Sequence, residues 1–190
     1  NLVCLCETYC NTDVEDSFLN IDGYSLTVIQ DGKDTEKRKC RGLLIYARAD
    51  TVVAQYDTEE IRSVTEACAV QVSGWEPNKY LTVALAYRPP RAAGSVEDNG
   101  NTEAMGRMIK SLPSPAVLVG DMNCPSIDWK DQHATNKGEM IFLEAMQDAF
   151  WTQHMLGPTH RDGNCLDIVG YSEEDLVASL DSIGRLSDRD

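Results

Sequence analysis

The 190-residue sequence has no long apolar run, no low-complexity tract and no internal repeat. No stretch approaches the roughly 20 consecutive apolar residues of a membrane-spanning helix, so none reads as one. A charged segment followed by an apolar one, the mark of a secretory signal, does not occur at its start. The first residues, from Asn1, already read as strand, and the expectation is a single domain cut from a longer chain. Positive charge is scarce: 17 Lys and Arg stand against 31 Asp and Glu, for a net charge of −14. That excludes a protein that coats nucleic acid by charge alone, because phosphate contacts come from Lys and Arg. Nucleic-acid binding then needs a local basic patch. One candidate is "KDTEKRKCR" (33–41), with Lys33, Lys37, Arg38, Lys39 and Arg41; the simpler reading of that run is a solvated loop. Paired cysteine motifs are also missing. Seven cysteines, an odd number, show no CxxC spacing, and no N-x-S/T sequon occurs. This pattern fits a reducing compartment without a disulfide framework. A zinc site from Cys4, Cys6 and Cys10 is weakly supported, since His133, His154 and His160 lack cluster spacing.

What is present is a series of short apolar runs. "LVCLC" (2–6), "YSLTVI" (24–29), "GLLIYAR" (42–48), "TVVAQY" (51–56), "EACAVQVSGW" (66–75) and "YLTVALAY" (80–87) read as strands. The third and fourth suggest one hairpin across Ala49-Asp50, and the fifth and sixth another across "EPN". "RPPRAAGSVEDNGN" (88–101) is loop by composition. Helices are expected over 101–112, with Met105, Met108, Ile109 and Leu112 on one face, and over 135–155, with Thr135 as N-cap. The second has Ile141, Phe142, Ala145, Met146, Ala149 and Phe150 in helical rhythm, a core stripe. "CLDIVGY" (165–171) and "LVASLDSI" (176–183) close the chain as strand-like runs. Strands in hairpins with few helices, and no regular βαβ alternation, imply an α/β sandwich of two packed sheets with helices outside.

Several of these runs end in residues able to handle metal or phosphate. "LVCLC" ends in Glu7, "YLTVALAY" in Tyr87-Arg88, "AVLVG" in Asp121 and Asn123; "CLDIV" contains Asp167, and the last run leads to Ser187-Asp188. Gathered at one edge, these carboxylates repel one another unless a cation sits among them. Oxygen ligands select Mg²⁺ or Mn²⁺ over zinc. Such a site suits phosphoryl chemistry, with a carboxylate orienting or deprotonating water. Singly, each residue has a plainer reading: Asp and Asn are common turn formers after strands, and Tyr is a good strand former.

In order and wording, this set closely resembles the endonuclease–exonuclease–phosphatase superfamily, and within it the apurinic-type endonuclease domain of non-LTR (LINE-like) retrotransposons. The matching pieces are "LVCLCETY" (2–9), "RGLLIYAR" (41–48), "AYRPP" (86–90), "VGDMNCPSIDW" (119–129), "GPTHRDGNCLDIV" (157–169) and "LSDRD" (186–190), nearly the whole chain. Pro125 and Trp129 after Gly-Asp-x-Asn favour the retrotransposon branch. The resemblance implies a DNase I-like two-sheet fold, truncated at its N-terminal strand, and Mg²⁺ or Mn²⁺ as cofactor. It implies DNA as partner, a nick with a free 3′-hydroxyl as product and a reverse transcriptase fused downstream. It also implies an intracellular protein, nuclear when acting on DNA.

The resemblance implies roles as well. Glu7 would ligate the metal and Asp188 would lie in its shell. Tyr87 would hydrogen-bond the scissile phosphate, Asp121 would activate water, and Asn123 would hold water and phosphate. Thr159 would contact a backbone phosphate, with Arg88 as a further contact to substrate phosphate, and Asp167 would orient a histidine. Target preference would lie in the loops 91–101 and 128–137. Two departures stand out. The family's asparagine on an earlier strand has no counterpart after Asn1, and its Ser-Asp-His ending reads Ser187-Asp188-Arg189 here. Arginine stays protonated and cannot act as general acid or base, although it can pair with Asp167 or clamp phosphate. Three functions therefore stand open: an active DNA endonuclease, a degenerate copy serving as a binding or structural module, and a phosphatase of phosphomonoesters or phosphoinositides.

Overall fold

A computed structural model describes residues 1–10, 14–30, 34–35, 38–39, 41–74, 76–77, 79–90 and 96–181. Its strands are β1 (Leu2–Cys6), β2 (Tyr24–Gln30), β3 (Asp34–Thr35), β4 (Arg38–Lys39), β5 (Leu43–Arg48), β6 (Val53–Tyr56), β7 (Ala67–Ser73), β8 (Tyr80–Ala86), β9 (Ala116–Asp121), β10 (Ile127–Asp128), β11 (His133–Ala134), β12 (Thr152–Gln153) and β13 (Asp167–Tyr171). The α-helices are α1 (Glu59–Ser63), α2 (Val96–Ser111) and α3 (Lys137–Asp148). Two sheets dominate. One has the order β1-β5-β2, the other β12-β13-β9-β8-β7-β6. Within the larger sheet only β8 and β9 run parallel.

The period-2 alternation of the strands divides the core in two. Cys68, Val70, Val83, Leu85 and Tyr87 face the smaller sheet, where they meet Leu43, Ile45 and Val28. The residues between them, Ala67, Ala69, Ala84 and Ala86, face the helices and meet Met105, Met108, Ile109, Phe142, Leu143 and Met146. Alanine on that face lets the helices approach closely, and Gly106 does the same between helices: a Cβ there would stand 3.0 Å from the Ala145 Cβ. The two-sheet α/β sandwich expected from the sequence is the architecture found. Among the described residues, all three α-helices pack into the apolar layer over the larger sheet.

The hairpin between β7 and β8 forms as expected. The one expected between 42–48 and 51–56 does not. The turn is there, with the Thr51 N–H donating to the Arg48 carbonyl at 2.8 Å. It is a corner between sheets, however: β5 lies between β1 and β2, while β6 pairs with β7. The second long helix also differs. It is capped by Asn136, whose Oδ1 accepts from the Gly138 and Glu139 N–H groups, and not by the exposed Thr135. It ends at Asp148, because the chain turns at Phe150 and Thr152–Gln153 joins the sheet beside β13. Helix α2 begins at Val96, inside the expected loop, and α1 is an element not anticipated, capped by Thr58. Residues 176–181 carry no strand, contrary to the expectation for 176–183. Among the described residues, no helix is long and apolar enough to cross a membrane.

Candidate active site

Four strand ends converge. Glu7 follows β1, Tyr87 follows β8, Asp121 ends β9 and Asp167 begins β13. Asp121 and Asp167 are register partners across antiparallel strands. The Tyr87 hydroxyl donates to Glu7 Oε1 at 2.7 Å, joining the two sheets at this edge. Gly120 is the exit that makes this possible. Its φ is +139°, and a Cβ would fall 1.9 Å from the Ala86 carbonyl oxygen. Glu7 and Asn123 hold left-handed backbone, at φ 53° and 44°, a conformation that costs side-chain-bearing residues energy and clusters at functional sites.

Asn123 is locked from several sides. Its N–H donates to Asp121 Oδ1 at 2.9 Å and its Nδ2 to the Arg88 carbonyl at 2.8 Å. In return Arg88 donates its N–H to the Asp121 carbonyl at 2.9 Å and Nη1 to the Asn123 carbonyl at 2.8 Å. Arg88 is buried, and its guanidinium also bonds the Met122 carbonyl and the Thr102 hydroxyl. The sequence suggested Arg88 as a phosphate contact. Here its burial and these carbonyls make it the brace under the Asp121–Asn123 turn. Thr159 stands beside Asp167: its Oγ1 accepts the N–H groups of Leu166 and Asp167 at 2.9 and 3.0 Å.

Burial raises the pKa of Asp121 to about 6; the Asn123 N–H opposes this, and the nearby Asp167 and Glu7 charges add to it. Burial and the bond to Glu7 raise Tyr87 well above the ordinary tyrosine value, so it stays a donor. Burial pushes Cys4 to about 11 and Cys6 to about 12, which makes them poor thiolate ligands. Among the described residues, no three His, Cys, Asp or Glu side chains are grouped closely enough to hold a metal by themselves. The chemistry of the donors nevertheless fits a hard divalent cation. Glu7, Asp121 and Asp167 are oxygen donors whose mutual repulsion a cation would relieve.

Two residues not singled out for this site complete it. Arg41, read from sequence as the end of a basic run, forms an ion pair with Glu7 Oε1. Its guanidinium carbon lies 5.5 Å from the Tyr87 ring centroid and 6.0 Å from that of Tyr9. Glu66 is fully buried, and its Oε2 accepts the N–H groups of Arg41 and Gly42 at 2.8 and 3.1 Å. A lone acid opening the apolar run "EACAVQV" was the available signal for Glu66. Ser187, Asp188 and Arg189 lie outside the described residues, as do Lys33, Lys37 and positions 91–95 of one expected specificity loop.

No protein-family model and no curated protein matches the chain. Solved structures do. The human Nocturnin catalytic domain with bound sulfate matches with a TM-score of 0.61 and 15% identity, over 90% of this chain and 69% of that one. The AP endonuclease LMAP of Leishmania major matches at 0.58 and 18% identity, again over 90% and 69%. The endonuclease domain of TRAS1, a telomere-specific non-LTR retrotransposon, matches at 0.57 and 16% identity, over 84% and 75%. The chain has the DNase I-like fold that these structures share. Nucleases are among the structures it resembles, one of them from a retrotransposon.

Proposed function

We propose that the chain is the metal-dependent DNA endonuclease domain of a non-LTR retrotransposon, nicking target DNA to leave a 3′-hydroxyl for reverse transcription. The observation that carries this reading is the convergence of Glu7, Tyr87, Asp121 and Asp167 at one edge, with Asp121 raised to about 6. A base near that value is matched to proton abstraction at neutral pH. The wording of "YRPP" and "SIDW" supports the retrotransposon branch. On this reading the domain is one part of a longer polyprotein with a reverse transcriptase downstream, and works in the nucleus.

Mg²⁺ or Mn²⁺ held by Glu7 would neutralise phosphate charge when bound. The chain's own residues do the rest. Asp121 takes the proton of the attacking water, and Asp167 on the next strand keeps Asp121 basic by repulsion. Asn123, fixed by Arg88, holds water and phosphate. Tyr87 stays protonated, so a phosphate oxygen can take over the hydrogen bond now made to Glu7. Thr159 accepts two backbone N–H groups and so has its own O–H to offer a phosphate. Supercoiled plasmid with Mg²⁺ or Mn²⁺ tests this: nicking is expected, with Asp121→Ala slower by roughly 10²- to 10⁴-fold. Absence of nicking by the parent chain with either metal overturns catalysis.

A second reading keeps the fold as a binding module without catalysis. Arg189 in place of histidine favours it, as does the Arg41 guanidinium on Glu7. Arg189→His discriminates. Nicking gained by that variant from an inactive parent shows an intact cleft that lacks one group.

A further inference from the structure

Arg41 is held in place from several directions. Its N–H donates to buried Glu66, and its carbonyl accepts the Tyr9 N–H at 2.6 Å. Its guanidinium rests near the Tyr87 and Tyr9 rings, at a distance where a cation is attracted to an aromatic face. The ion pair with Glu7 faces the cleft: the two side chains are 33% and 37% exposed. One oxygen of Glu7 thus receives both the Tyr87 hydroxyl and the Arg41 guanidinium. That oxygen has little capacity left for a third, doubly charged partner. Two cations sharing one carboxylate also repel each other, and partial burial weakens the screening.

We infer that Arg41 is the exchangeable counter-ion of Glu7, competing with the divalent cation for that carboxylate and leaving it when the metal binds. This rests on the reading of Glu7 as a metal ligand. Arg41 neutralises Glu7 in the metal-free protein and sets the metal concentration at which the site loads. Once displaced, the guanidinium is a cation at the rim of a cleft that also holds Glu7, Asp121 and Asp167. Sequence alone put Arg41 in a solvated basic run; the Glu66 anchor is what turns it inward.

Mn²⁺ binding to the full chain, followed by titration calorimetry, tests this with no reference to activity. Arg41→Gln is expected to bind Mn²⁺ roughly tenfold more tightly than the parent, the scale of one charge-assisted hydrogen bond. Its metal-free Tm should fall, and its rise in Tm on adding Mn²⁺ should exceed the parent's. Glu7→Gln should lose the binding, alone and combined with Arg41→Gln. Arg48→Gln removes an equal charge from the far end of β5, where Arg48 pairs with Asp50, and should leave Mn²⁺ affinity unchanged. Equal or weaker binding by Arg41→Gln, with Glu7→Gln still abolishing it, overturns the counter-ion role and leaves the metal reading standing. A tenfold gain in Arg48→Gln as well overturns it too, since net charge then explains the effect. Unaltered affinity in Glu7→Gln overturns both.

Discussion

Asp121 and Asp167 face each other across β9 and β13 as register partners, two acids on adjacent strands at the edge where the sheets meet. Like charges so placed disfavour joint ionisation. Burial is the larger cause, and together they lift Asp121 to about 6.

The sign of the stability effect follows. An acid raised on folding is favoured in its neutral form by the native state. Its penalty is therefore present above about 6, where the native state must ionise it, and fades toward the ordinary carboxylate range. Metal-free Asp121→Asn should be more stable than the parent at pH 8, by on the order of 1 kcal/mol after allowing for solvent around the half-buried carboxyl. The gain should shrink toward pH 4. Urea denaturation at both pH values measures it, and a pH-independent difference would contradict the assignment.

Much of this site was legible because strand exits are local signals. The run "AVLVGD" places Asp121 at the end of a buried strand whatever lies beside it, and the same holds for Glu7 and Tyr87. Partner choice was not legible. The turn after Arg48 closes equally well between paired strands and between sheets, so β6 was assigned to the wrong neighbour. Arg88, Arg41 and Glu66 were obscured for a different reason. A single charged residue carries no periodicity, and its task depends on which backbone groups the fold leaves unpaired nearby.

Glu66 gives a direct test of such pairing. Its Oε2 holds two backbone N–H groups in a fully buried setting. Glu66→Ala orphans both and should cost roughly 2–4 kcal/mol. Glu66→Gln keeps an acceptor oxygen for them, and burial already raises the Glu66 pKa, so the neutral amide should recover most of that loss. Chemical denaturation of the two variants decides it; equal losses would mean that the hydrogen bonds carry little.

Gly120→Ala should be among the most damaging small substitutions. The added Cβ meets the Ala86 carbonyl oxygen at 1.9 Å, and φ of +139° is itself disfavoured for any side chain. Backbone strain and overpacking together suggest about 3 kcal/mol or more. The shift falls one residue before Asp121 and one residue from Tyr87, so plasmid nicking should drop along with the urea midpoint. Parent-like stability in this variant would mean that β9 leaves the sheet by another path.

Helix α3 offers a stabilising change. After Ala149, Phe150 takes φ 58°, its N–H donates to the Gln147 carbonyl, and the Trp151 N–H reaches the Met146 carbonyl at 2.9 Å. This is a left-handed helix terminus of the kind glycine usually supplies. A phenylalanine there extended the apolar rhythm past the true end of the helix, which is why the sequence suggested a longer one. Phe150 is 87% exposed, so its ring loses little packing on removal. A left-handed residue with a side chain costs roughly 1–2 kcal/mol, part of which glycine returns through its greater freedom when unfolded. Phe150→Gly should therefore stabilise the protein by about 0.5–1 kcal/mol, seen as a higher midpoint in urea, while Phe150→Ala, which keeps the Cβ, should not.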